Sequence, residues 1–215
     1  MKGETKSRYY IQDLIAEGEH EQQDFKHQIT DAARIARSIS AFANRSGGRL
    51  LIGVKDNGRI CGISSEEEIY MIDRAATACC MPSQQVEYHI YRVEGKTVLK
   101  VDIPPSGHLP VRALDEHHRW RAYIRVADEN ILASKLQMAV WRSEGSDTIE
   151  LGEKESALLD LLQGENDTIT LRQFSIMAHI TERTAIDTVA AMCRAGILRL
   201  IYRGKDCLIG LSPKS

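Results

Sequence analysis

The chain predicts an α+β fold in two parts, a larger domain built on a mostly antiparallel sheet and a smaller, mainly helical one, and three observations predict it. Short runs of apolar–polar alternation recur around turn sequences such as Asp56-Asn57-Gly58 and Glu94-Gly95-Lys96. A segment with helical apolar spacing, residues 32–43, interrupts them early. After the polar, glycine-containing stretch Ser143–Asp147 the period changes to helices. The 215 residues are enough for two domains, which the sequence places at 1–145 and 150–215.

In chain order, residues 9–17 have the spacing of a short helix, with Tyr10, Leu14 and Ile15 among polar neighbours, and residues 20–27 read as a strand with Phe25 inward. Thr30-Asp31 suits the N-cap of a helix running to about Asn44, whose apolar face is Ala32, Ile35, Ala36, Ile39, Phe42 and Ala43. Gly47-Gly48 ends it. Arg49–Val54 is a buried-type strand, Asp56-Asn57-Gly58 a hairpin turn and Arg59–Ile63 the return strand. Ser65, followed by Glu66, Glu67 and Glu68, starts a helix that reaches towards Cys80. Gln85–Val93 and Thr97–Ile103 form a hairpin. After the break at Pro104-Pro105, Val111–Leu114 and Trp120–Val126 are strands, with His117-His118 in the loop between them, and Asn130–Arg142 closes the domain as a helix.

Beyond the linker, helices are expected over Glu153–Gln163, Leu171–Ala178 and Glu182–Ala195, the last capped by Thr181. Strands Ile197–Tyr202 and Cys207–Leu211 follow around Arg203-Gly204-Lys205-Asp206. Three helices and a two-stranded wing is the order of a winged helix-turn-helix.

Composition narrows the function. A net charge of −2 excludes a protein that coats polyanions generically, so any nucleic-acid contact needs a local basic patch. No apolar run approaches the roughly 18–20 residues of a membrane span. The N-terminal residues lack the apolar core of a signal peptide, which points to the cytoplasm. The five cysteines have no C-x2-C spacing and read as reduced thiols. No G-x4-G-K-[ST] occurs, so the chain has no phosphate cradle of the usual ATP-binding kind.

Three acids, Glu19, Asp24 and Asp56, flank one helix–turn–strand unit and would converge at one end of it. Three converging carboxylates can hold Mg or Mn against a phosphate, and Lys26, on the same side of the strand as Asp24, would offset phosphate charge. Arg34, Arg37, Arg45 and Arg49 form a candidate basic strip beside the Gly47-Gly48 turn, where a phosphate can approach backbone N–H groups. In the second domain the helix 182–195 would be the recognition helix, exposing Glu182, Arg183, Thr184, Asp187 and Thr188. Arg183, Thr184 and the wing residues Arg203 and Lys205 are candidates to touch DNA. Residues 150–215 carry eight Lys and Arg against nine Asp and Glu, so this module is not basic overall.

Taken in order, Glu19…Asp24-Phe25-Lys26, Ala41-Phe-Ala-Asn44, Gly47-Gly48, Gly53-Val54-x-Asp56 and Tyr123-x-Arg125 resemble the motifs of the Schlafen domain in its bacterial AlbA-like form, over roughly residues 10–142. The resemblance implies a Schlafen/AlbA-like domain that binds nucleic acid. In nuclease members the acids matching Glu19, Asp24 and Asp56 cleave RNA with a metal; here aspartate stands at 24 where that pattern has glutamate. The reading that follows is a DNA-binding transcriptional regulator, with a metal-dependent endoribonuclease and a noncatalytic dimeric interaction module as alternatives. Eukaryotic Schlafen proteins enclose a basic groove between two related lobes. This chain carries one, which implies a homodimer.

Overall fold

The computed structural model describes residues 2–63, 67–143, 148–163 and 167–213, and the chain divides into two compact units, Met1–Leu132 and Ala133–Ser215. The first contains α1 (Lys2–Glu17), β1 (Gln23–Lys26), α2 (Ala32–Ala43), β2 (Gly48–Ile52), α3 (Glu67–Ala78), β3 (Cys80–Met81), β4 (Glu87–Val93), β5 (Lys96–Ile103), β6 (Arg112–Leu114), β7 (Trp120–Val126) and β8 (Glu129–Leu132). They make two four-stranded sheets, β1-β2-β5-β4 and β3-β6-β7-β8. Among the described residues only β1 and β2 pair in parallel, joined through α2; the other pairings are antiparallel.

α2 runs between the sheets, against β6 and β7 on one side and β2 and β5 on the other. Nine of its twelve residues are buried, so the helix is a core element and not an amphipathic cover. Its N-terminus is closed by Asp31, whose Oδ1 accepts the Ala33 N–H at 2.9 Å. β2 explains its own composition. Leu50 and Ile52 pack against the α2 side, while Leu51 faces the α1 side with Ile11, Leu14 and Phe25. A strand covered on both faces reads as an unbroken apolar run.

The double glycine answers to close approach. A Cβ at Gly48 would stand 2.3 Å from the Phe42 ring, and one at Gly47, where φ is +77°, would stand 2.7 Å from the Ile103 carbonyl. Beside it, Asn44 at the C-cap clamps α2 to the second sheet. Its Nδ2 donates to the Val111 and Tyr123 carbonyls at 2.8 Å each, and its Oδ1 accepts the Val111 N–H at 2.7 Å.

The second unit contains α4 (Lys135–Arg142), α5 (Glu153–Gln163), β9 (Thr168–Thr170), α6 (Leu171–Met177), α7 (Glu182–Arg194), β10 (Leu198–Arg203) and β11 (Asp206–Leu211). β10, β11 and β9 form a three-stranded antiparallel sheet in that order. Leu136, Leu158, Leu162, Phe174, Val189 and Met192 share its core. Thr170 and Gln173 form a capping box at α6, and Thr181 caps α7.

Several expectations need correction. The short helix at 9–17 is the end of the longer α1. The return strand at 59–63 reduces to one bridge, Val54 with Ile60. The expected helix 130–142 is two elements. Glu129–Leu132 pairs with β7 as a strand, because Ala127 at φ +51° turns the chain back on itself. Helix α4 begins only after Ser134, whose hydroxyl caps Gln137. α4 then packs along α7 in the second unit, with the Tyr202 hydroxyl donating to Gln137 Oε1 at 3.1 Å. The strands β3 and β9 were not foreseen. The helix start at Ser65 and Glu66 and the linker residues 144–147 lie outside the described residues.

Candidate functional site

β1 lies at an edge of its sheet, and residues 19–22 fold back over it. The His20 and Gln23 backbones pair with each other, and Glu19 Oε1 accepts the Phe25 N–H at 2.8 Å. Asp24 points to the α2 side and is only 3% exposed. One oxygen meets Lys26 Nζ at 2.7 Å and the other faces Arg125 Nη2 at 3.4 Å. Ser38 of α2 donates to Asp24 Oδ2 at 3.3 Å, and Asn130 Nδ2 donates to Ser38 at 2.9 Å. Arg125, itself buried, also donates to the His20 and Gln23 carbonyls and to Asn130 Oδ1, with its guanidinium over the Phe42 ring. Ser38 and Asn130 belong to this network although neither was singled out from the sequence; no local pattern marks a polar residue whose partners are supplied by distant elements.

Burial pushes Glu19 up to about 7, and its hydrogen bond to the Asp24 carboxyl adds to the rise. Burial acts in the same sense on Asp24, but Lys26, then the Glu19 hydrogen bond and Arg125, outweigh it and hold Asp24 below the usual carboxylate range. The pair therefore shares its proton unequally, with Glu19 carrying it.

The expected three-carboxylate centre reduces to this pair. Asp56 is exposed on the turn 55–58, which lies against α1, where a Cβ at Gly58 would meet Ile15 at 2.9 Å. Asp24 faces α2 on the other side of the sheet. Among the described residues no three His, Cys, Asp or Glu side chains are grouped so as to hold a metal ion. A divalent ion does not fit the residues present: both Asp24 oxygens already face cations, and a Glu19 oxygen is taken by a backbone N–H.

The arginines of the expected basic strip are separated by their partners. Arg37 pairs with Glu116 and lies over the Tyr123 ring, Arg45 meets Glu21 at 3.5 Å, and Arg49 pairs with Glu17 and donates to Gln23 Oε1. Arg34 is exposed. A cleft of about 500 Å3 beside the strip is lined by His20, Glu21, Gln22, Arg45 and Ser46. Its one arginine is already matched by Glu21, so it has no surplus charge for a phosphate. In the second unit Arg183, Arg203 and Lys205 are exposed and Thr184 is half-buried, but Thr188 is buried, a correction to the expected recognition face. Glu182 faces Lys135 at 3.7 Å.

A family profile described as Schlafen, AlbA_2 matches residues 19–134, more than half of the chain. The chain belongs to the Schlafen, AlbA_2 family. The match spans the Glu19–Asp24 pair, the Asn44 clamp and Arg125. Within the matched stretch, Asp24, Asn44 and Arg125 link β1, α2 and β7. Two solved structures are similar in fold. The DIP2311 protein from Corynebacterium diphtheriae is 19% identical, with a TM-score of 0.44 over 65% of this chain and 33% of that one. The N-terminal domain of a putative ATP-dependent DNA helicase RecG-related protein from Nitrosomonas europaea is 21% identical, with a TM-score of 0.42 over 56% of this chain and 87% of that one. The chain thus spans a third of the DIP2311 structure's length. No curated protein matches it in sequence. Among the described residues no helix is long and apolar enough to cross a membrane.

Proposed function

We propose that this protein is a noncatalytic, DNA-binding regulator whose second unit is a winged helix that contacts duplex DNA. The observation that carries the reading is the order α5-β9-α6-α7-β10-β11 with a β10-β11-β9 sheet, which sets α7 beside the β10–β11 hairpin. Arg183 is exposed on the first turn of α7, and Arg203 and Lys205 are exposed at the hairpin tip. Among the described residues none of the three is paired with a carboxylate, so they are available to a base edge or a phosphate. The balanced charge of residues 150–215 favours specific contacts over general attraction. A noncatalytic role fits a first unit whose motif carboxylates are already neutralised by Lys26 and Arg125. We place a homodimer through the first unit within the same reading, since two modules would match a palindromic site.

Selection from a random duplex pool, followed by fluorescence anisotropy, tests this. The wild type should enrich one sequence class. Arg183→Ala should weaken binding to it by about 1–3 kcal/mol. The double variant Arg203→Ala, Lys205→Ala should lower the log–log salt slope by about 0.9 per lost contact. No enrichment, together with no duplex binding at low salt, would remove the reading.

A further inference from the structure

We infer that a cleft between α3 and the start of β4 is a binding site for a small organic cation, an alkylguanidinium, held through Asp73, Thr77 and Gln84. The inference goes beyond the DNA contact proposed for the second unit and does not depend on it. The cleft has a volume of about 380 Å3, at the lower end of the range for small-molecule sites. Asp73 and Thr77 of α3 line it together with Gln84, Val86 and Pro104. Glu87 also lines it, but its carboxylate already has His89 at 4.0 Å. No lysine, arginine or histidine is among the lining residues.

What the cleft offers a ligand is set by how its own donors are used. Asp73 and Thr77, four residues apart, share one face of α3. The Thr77 hydroxyl donates to the Asp73 carbonyl at 2.7 Å, so only its lone pairs remain. Gln84 is 9% exposed, and its side-chain N–H groups donate to the Pro82 and Ser83 carbonyls at 2.8 and 3.1 Å. That fixes the amide and leaves Oε1 an acceptor with no partner among the described residues. Oε1 is not sealed from solvent, so it opens on the cleft that Gln84 lines.

The Asp73 carboxylate is exposed and in no ion pair among the described residues. Burial, and after it the Asp73 charge, pushes the Tyr88 hydroxyl up to about 12, yet the two are not hydrogen-bonded. Of the lining side chains, only the exposed Gln85 has N–H groups left to offer. Two neutral acceptors and a carboxylate thus call for a ligand that is rich in donors and positively charged. A guanidinium presents five N–H groups in one plane and gives up water more readily than an ammonium. Its alkyl stem would lie on Val86 and Pro104.

Titration of the isotope-labelled full chain with agmatine, followed by NMR, tests the site. Saturable shifts should centre on Thr77, Val86 and the Gln84 side-chain amide. Asp73→Asn keeps the shape of the side chain and removes its charge. Agmatine should bind that variant roughly 5- to 10-fold more weakly, the low end for charged hydrogen bonds because Asp73 is exposed. Thr77→Val should weaken binding as well, and both variants should melt as the wild type does. Asp160→Asn, which removes an equal charge from the exposed surface of α5, should bind agmatine as the wild type does. That control separates a built site from general attraction to a chain of net charge −2. Butylurea, with a stem and N–H groups but no charge, should give no saturable shift. A wild type without saturable shifts in millimolar agmatine, or an Asp73→Asn protein that binds it with wild-type affinity, overturns the site.

Discussion

At Glu19 a single proton links the site to pH. Its carboxyl is pushed up to about 7 in the folded protein from an ordinary value of 4.5, so the folded state holds the proton more tightly than the unfolded one. The stabilisation from the protonated form is then fully present below pH 4.5 and is lost as pH rises through 7. Asp24 runs in the opposite sense: held low, it contributes stability above its ordinary value that is lost in stronger acid. Glu19→Gln mimics the protonated form, with an oxygen for the Phe25 N–H and an amide N–H for Asp24. The variant should melt at nearly the same temperature at pH 5.5 and pH 8, whereas the wild type should lose melting temperature over that interval. Thermal denaturation at the two pH values checks this, and parallel losses in both proteins would remove Glu19 as the cause. The acids themselves were legible in the sequence, but their roles were not. Asp24 is neutralised by Lys26, two residues on and legible from the strand's alternation, and by Arg125, about a hundred positions away, a pairing that no local spacing reports.

Among the elements, α2 shows why some of the fold could be read and some could not. Its boundaries follow from local chemistry, an Asp31 cap and a glycine stop, and the six positions of its expected apolar face are all buried, with Ser38, Ser40 and Ala41 buried besides. The hairpin β4–β5 and the strand Trp120–Val126 were legible for the same reason, through alternation and turn residues. β3 and β9, two and three residues long, exist because distant strands pair with them, and so carry no period of their own. The element-level test falls on the α2 clamp. Asn44→Ala would leave the buried Val111 N–H and Tyr123 carbonyl without their side-chain partner. The loss should be about 2–4 kcal/mol, read from the urea midpoint at unchanged slope. A change under half that size would mean that the strands β6 and β7 hold α2 without it.

For the whole molecule, the two edges of the first sheet are treated differently. At β1 the turn 19–22 folds over the edge and Glu19 satisfies an outward N–H. At β4, seven residues long, β5 is the only strand partner among the described residues, and Ile90 is 61% exposed. Natural proteins usually guard such an edge with charged side chains, proline or a bulge; β4 has neither proline nor a bulge, and its charged residues Glu87 and Arg92 lie towards its ends, away from Ile90. A second copy paired antiparallel about a two-fold axis at Ile90 would set Tyr88 opposite Arg92, His89 opposite Tyr91 and Glu87 opposite Val93. That register opposes no two like charges. It would join two sheets into one of eight strands. Light scattering at micromolar concentration should then give a mass near twice the 24.1 kDa of one chain. Ile90→Lys, which sets two lysines face to face on the axis, should return a single-chain mass with an unchanged melting profile at low concentration. A wild-type mass of one chain would dismiss the dimer outright. A dimer that persists in Ile90→Lys would move the interface away from β4 and leave that edge to be guarded by some other means.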